Sequence, residues 1–263
     1  MKKIWGSMLA ISAVIILAAC SAEEKATVQG VYDETLKASE ELTSFQMEME
    51  QDISMGENNS VSQTATGKVN TDPLAFHQKM NMMNQEMEMY YTEEAMYLQQ
   101  PGQDQWVKAP ADMMEQLNQL TQSQQKPTKQ LEQLEQYVDD FSMEEKENTY
   151  VLSISSSGDK MKDFIKETLE ENMPEGTMSE DMLKGLTINN LEYTFTIQKD
   201  TYYPKQLDLT MDLSMEQNGT TADMKQEVQA TYSKYNEVGE ITVPEDIKNN
   251  AKEMSMPQSS NSN

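Results

Sequence analysis

From Phe45 to Tyr232, apolar residues return at every second position in one segment after another. Phe45, Met47, Met49, Ile53 and Met55 alternate with Gln46, Glu48, Glu50 and Ser54, and alternation resumes from Val61 to Val69 beyond Gly56-Glu57-Asn58-Asn59. Successive side chains of a strand point to opposite faces, so period two demands a sheet with one dry and one wet side. Leu74, Phe76, Met80 and Met82 begin another strand after Asp72-Pro73, and Met87, Met89 and Tyr91 mark the next. Met96-Tyr97-Leu98 and Trp106-Val107 flank Pro101-Gly102, a hairpin signal. A meander of consecutive antiparallel strands is the expected result. Tyr150, Leu152 and Ile154 predict one more strand. Leu191 to Ile197, Leu207 to Met215 and Met224 to Tyr232 close the chain with three further strands, the last two joined at Asn218-Gly219.

Elsewhere the apolar spacing changes to that of helices. Val28, Val31, Tyr32, Leu36 and Leu42 line one face of an opening helix. Met113, Met114, Leu117 and Leu120 mark a second, and Leu131, Leu134, Val138 and Phe141 a third after Pro127, with the Gln-rich stretch 116–130 between them. Met161, Phe164, Ile165 and Leu169 mark a fourth, stopped by Pro174-Glu175-Gly176. No internal linker interrupts this order, so an α+β chain with a single domain over residues 28–252 is expected, followed by a polar, disordered tail over 253–263.

The N-terminus reads as a targeting segment. Lys2 and Lys3 precede an apolar run from Ile4 to Leu17, and Leu17-Ala18-Ala19-Cys20 follows. That is a signal peptide over residues 1–19 ending in a lipobox. The apolar run is short for a transmembrane helix, which needs about 20 residues. Cleavage before Cys20 would leave a thiol to take a diacylglyceryl group, and two acyl chains suffice for stable anchoring. Residues 20–27 then form a short lipidated tether. The expected location is the outer face of the cytoplasmic membrane, with the membrane itself as a partner through the anchor.

Charge and chemistry narrow the function. With 45 acidic residues against 20 basic ones and a net charge of −25, the surface repels phosphate backbones, which argues against nucleic acid as a partner. Cys20 is the only cysteine, so the chain has no intrachain disulfide to rely on. His77 is the only histidine and lies in a strand pattern, without a Gly-x-Ser-x-Gly or Walker motif anywhere in the chain. The expectation is a binding or interaction protein with no catalytic residue, cofactor or metal. The 23 methionines are the unusual feature, densest at Met80, Met82, Met83, Met87 and Met89. Thioethers capture Cu(I), but alternation with Gln, Asn and Glu is what core positions show. A flexible, polarisable methionine face also accommodates apolar ligands of variable shape.

The opening helix running into Leu42-Thr43-Ser44-Phe45, the long alternating strands, Tyr97 followed by Trp106-Val107-Lys108, and the closing Ile241-Thr242-Val243-Pro244-Glu245-Asp246-Ile247 together carry a family likeness. The chain resembles the LolA/LppX-like lipoprotein superfamily, and within it an uncharacterised branch of Gram-positive lipoproteins. The resemblance implies a curved antiparallel β half-barrel with helices packed on its concave face, and a lipid or other hydrophobic molecule held between sheet and helices. Candidate cavity residues are then Phe45, Met47, Met49, Phe76, Met80, Met82, Met87, Met89, Tyr193, Phe195, Leu209 and Met211. Two departures accompany the likeness: the arginine used by carriers of this type is absent from a chain without arginine, and a lipid anchor rules out a freely diffusing shuttle. The rival expectation is a non-catalytic envelope interaction or sensor-accessory protein with a closed core.

Overall fold

A computed structural model describes residues 25–254 apart from 57–58, 84, 100, 103–104, 112, 115–126, 158–161, 163, 166–184 and 218–219. The expected helix 113–120 and the helix from Met161 therefore lie largely outside the described residues, as does the N-terminal targeting segment.

Helix α1 (Val28–Glu40) starts where Thr27 supplies an N-cap, its Oγ1 accepting from the Gly30 N–H at 3.0 Å. Val31, Tyr32, Thr35 and Ser39 form its buried stripe. The chain then enters β1 (Ser44–Met55), β2 (Asn59–Thr71), β3 (Leu74–Met82), β4 (Gln85–Thr92), β5 (Ala95–Gln99) and β6 (Trp106–Lys108), each antiparallel to the one before. Gly56 at φ 66 and Gly102 at φ 68 take left-handed conformations at two of the turns, which is the reason for glycine there.

A second meander follows. Helix α2 (Lys129–Gln133) and a 3-10 turn (Glu135–Asp140) lead into β7 (Ser142–Glu145), β8 (Thr149–Ser156), β9 (Leu186–Gln198), β10 (Pro204–Gln217) and β11 (Thr220–Ser233). The pattern Leu131, Leu134, Val138, Phe141 predicted one helix, but the segment divides at Leu134 and Phe141 is already extended at ψ 140. Strand β7 begins at the next residue, so the helix has no room to continue. Helix α3 (Glu245–Asn250) and β12 (Lys252–Glu253) end the described chain.

The strands make one sheet in the order β12-β6-β5-β4-β3-β2-β1-β11-β10-β9-β8-β7. The meander expected from sequence is thus two meanders fused where β1 pairs antiparallel with β11, from Gln46 opposite Ser233 to Met55 opposite Met224. All pairs are antiparallel except β12 with β6. The first long strand and the last lie side by side at the centre. The edges are β7 and β12, so the sheet is open.

Burial follows the pleat. The largest cluster gathers Phe45, Leu152, Tyr193, Phe195, Leu207 and Tyr232 from the strands with Val31, Tyr32, Leu131, Leu134, Phe164 and Ile165 from the helical segments. A second joins Leu74, Tyr91 and Met96 to Ala109 and Met114. The third, Ala95, Tyr97, Val243 and Ile247, lies on the opposite side of the sheet. Tyr97 faces away from Met96 and Leu98 by the strand alternation. Packing on a single face was the expectation for helices; α3 departs from it because the outward Tyr97 and Ala95 offer an apolar patch that Ile247 can cover.

Candidate functional site

Register fixes which side chains share the apolar face. One row crosses the sheet as Leu152, Phe195, Leu207, Ala230, Met49, Ala65, Met80 and Met87. The next runs Ile154, Tyr193, Leu209, Val228, Gln51, Gln63 and Met82. Phe45 opposes Val69, which opposes Phe76, and Met47 shares its row with Tyr232, Gly67, Gln78 and Met89. Met211 lies in line with Leu191 and Gln226. All twelve residues named from sequence as cavity candidates therefore fall on one face. They do not share one environment.

Over β8 to β10 the face is packed solid. Tyr193 stacks on Phe195 at 6.0 Å and meets the edge of Phe164 at 6.1 Å. Phe195, Tyr193 and Met211 are buried, and Leu209, Met47 and Met49 pack against them half-buried. Tyr32 ties α1 to this layer by donating its hydroxyl to the Leu131 carbonyl at 3.0 Å. Burial pushes the Tyr193 phenol well above its ordinary value and that of Tyr232 up to about 12. Phe45 belongs here too, edge-on to Tyr232 at 6.2 Å.

Over β3 and β4 the face is different. Phe76 and Met89 pack beside the second cluster, with Phe76 stacked on Tyr91 at 4.7 Å. Met80 and Met87 are half-buried and Met82 is 39% exposed. None of these three enters a buried cluster among the described residues. Ala65 and Ala230 flank Met49 and are themselves buried, and a side chain at Gly67 would meet nothing closer than 4.0 Å. Sequence reading passed over the amides Gln51, Gln63, Gln78 and Gln226, which are in phase with the apolar positions. The signal was available, since Gln51 sits two residues after Met49. Gln63 donates to the Gln51 oxygen, so the pair satisfies part of its own polarity within the dry face.

His77 lies on the polar face. Its ring stacks on Tyr90 at 4.1 Å and its Nε2 meets Glu88 Oε1 at 2.5 Å, while Lys79 approaches the same oxygen at 3.5 Å. Clefts among the described residues border this side. One of about 750 Å³ lies between the 72–73 and 93–94 turns and the segment 236–243. Another of about 360 Å³ is lined by His77, Tyr90, Lys68 and Lys234 with residues 237–242. Neither includes a residue named from sequence as a cavity candidate, but a third cleft of about 330 Å³ has Met80 and Met87 in its lining beside Thr64, Thr66, Lys79 and Glu88. No described helix is long and apolar enough to cross a membrane.

A family model described as "Family of unknown function (DUF6612)" matches residues 27–252. No curated protein matches the chain. Among solved structures, a LolA superfamily protein of Nitrosomonas europaea aligns over 85% of this chain and 97% of its own at 7% identity and TM-score 0.27. A DUF1329 family protein of Desulfovibrio piger aligns over 80% and 93% respectively, at 9% identity and TM-score 0.27. A beta-barrel-like DUF1849 protein of Brucella abortus aligns over 73% and 98%, at 10% identity and TM-score 0.19.

Proposed function

We propose, for a chain that belongs to the DUF6612 family, that it holds a lipid or other hydrophobic molecule against the methionine-lined part of its apolar face. One observation carries this reading: helical segments cover the face over β8 to β10, whereas Met80 and Met87 on β3 and β4, beside the buried Ala65, stay half-exposed and join no buried cluster among the described residues. Thioether side chains adapt to irregular apolar shapes. In this reading the sheet curves as a half-barrel around the ligand with the helices on its concave side. The protein is a binder rather than an enzyme, in keeping with His77 being engaged by Glu88 and Tyr90 on the other face.

The same reading puts the domain outside a Gram-positive cell, on the cytoplasmic membrane, through diacylglyceryl Cys20. Its support is the order Lys2-Lys3, the apolar run Ile4 to Leu17, and Leu17-Ala18-Ala19-Cys20.

Native mass spectrometry of protein purified without detergent tests the ligand. A co-purified lipid mass, or saturable uptake of a fluorescent fatty acid after delipidation, is the expected result. Absence of both overturns the reading in favour of an interaction protein with a closed core, for which the solid packing around Phe195 and Leu152 already provides the pattern.

A further inference from the structure

The methionines of the β3–β4 hairpin call for an explanation that core packing no longer supplies. Met80 stands directly opposite Met87, and Met82, opposite Gln85, is the diagonal neighbour of Met87. Directly opposed Cβ atoms lie about 4.5–5.5 Å apart and diagonal ones about 7–8 Å, within reach of long side chains. The three thioethers can therefore converge on one point above the sheet. Alternation had suggested burial for them, yet among the described residues they join no buried cluster, and Met82 keeps 39% of its surface.

We infer that Met80, Met82 and Met87 form a three-thioether site for a soft monovalent cation, Cu(I). Thioether sulfur is a soft donor that selects Cu(I) over the harder divalent ions. The setting favours a cation as well. On this face β2, β3 and β4 present only apolar and amide side chains near the three methionines, because Lys79, Glu86 and Glu88 point the other way. Among the described residues of β2, β3 and β4 no lysine shares this face, and the net charge of −25 draws a positive ion in at long range. Methionine carries no proton to lose, so Cu(I) binding here is independent of pH, unlike binding by histidine or cysteine.

The inference goes beyond the apolar-ligand reading and stands apart from it, since Cu(I) transfer reads the one and co-purified lipid mass the other. Met80→Leu/Met82→Leu/Met87→Leu removes the sulfurs but conserves apolar volume, a class of exchange that costs less than about 1.5 kcal/mol per site. The full chain is titrated anaerobically, with ascorbate as reductant, against the chromogenic Cu(I) chelator bicinchoninate between pH 5.5 and 8. Wild type is expected to withdraw one equivalent of Cu(I) with affinity flat across that range. The triple leucine variant should bind at least tenfold more weakly, and His77→Ala should match wild type. Equal withdrawal by wild type and triple variant, or a pH dependence that disappears in His77→Ala, overturns the site while leaving the apolar-ligand reading intact. Should the triple variant lose thermal stability, the exposed Met82→Leu alone must still weaken Cu(I) binding, and its failure to do so equally overturns the site.

Discussion

At the scale of single residues, burial separates positions that look alike in sequence. Leu152 is fully buried between Phe195 and Met143, whereas Met82 on the same face is 39% exposed. Leu152→Ala is expected to cost about 2–5 kcal/mol through lost packing and the cavity left behind, and Met82→Ala no more than about 0.5 kcal/mol; urea denaturation compares them directly. Gly185 is constrained differently, since a Cβ there would come within 2.3 Å of the Glu216 carbonyl oxygen while its own carbonyl accepts the Glu216 N–H at 3.0 Å. Gly185→Ala should therefore destabilise by about 1–3 kcal/mol, a strain the backbone must absorb. The buried phenols set an alkaline limit. Tyr232 is raised to about 12 and Tyr193 is raised too, both by burial. Between pH about 10, the unfolded value, and about 12 the unfolded chain has released these protons while the folded chain retains them. Stability is thus complete below pH 10 and falls as pH rises through the folded values. Tyrosinate absorbance that grows in step with loss of the near-ultraviolet dichroism would bear this out, and ionisation of every tyrosine near pH 10 in a folded protein would refute it.

At the scale of elements, the two packed faces have unequal consequences. The helical segments over β8 to β10 belong to the main cluster, so loosening them opens the whole core. Helix α3 secures only the small patch of Ala95 and Tyr97 on the other face, through Val243 and Ile247, and β12 adds two residues beside β6. Ile247→Asp should accordingly raise amide hydrogen exchange in β5 and β6 and leave β9 and β10 protected. Uniform loss of protection would mean that the closing segment is part of the global folding unit. The sequence foretold the strands of this region well, including the hairpin at Gly102, but gave no warning of α3. A six-residue helix offers too few turns for a period to show.

For the whole molecule, the decisive contact is between β1 and β11, elements separated by most of the chain. Loop closure over that distance must precede the reward of pairing, so the two meanders become one sheet only when both are formed. The anchor belongs to this scale as well. Cys20→Ala is expected to move the protein from the membrane fraction to the medium or to an uncleaved precursor, read by fractionation and intact mass; unchanged membrane retention of a cleaved Cys20→Ala chain would rule out lipidation as the tether.

Sequence alone determined which residues share a face, because a pleat enforces period two wherever a strand forms, and so the positions of Phe45, Met49, Met80, Tyr193 and Met211 on one side of a sheet were legible. Only the tertiary structure decided which of them are sealed. Exposure of Met82 and burial of Phe195 depend on where α1, α2 and Phe164 settle, and that in turn depends on β11 docking beside β1, a pairing between distant segments that local periodicity does not encode.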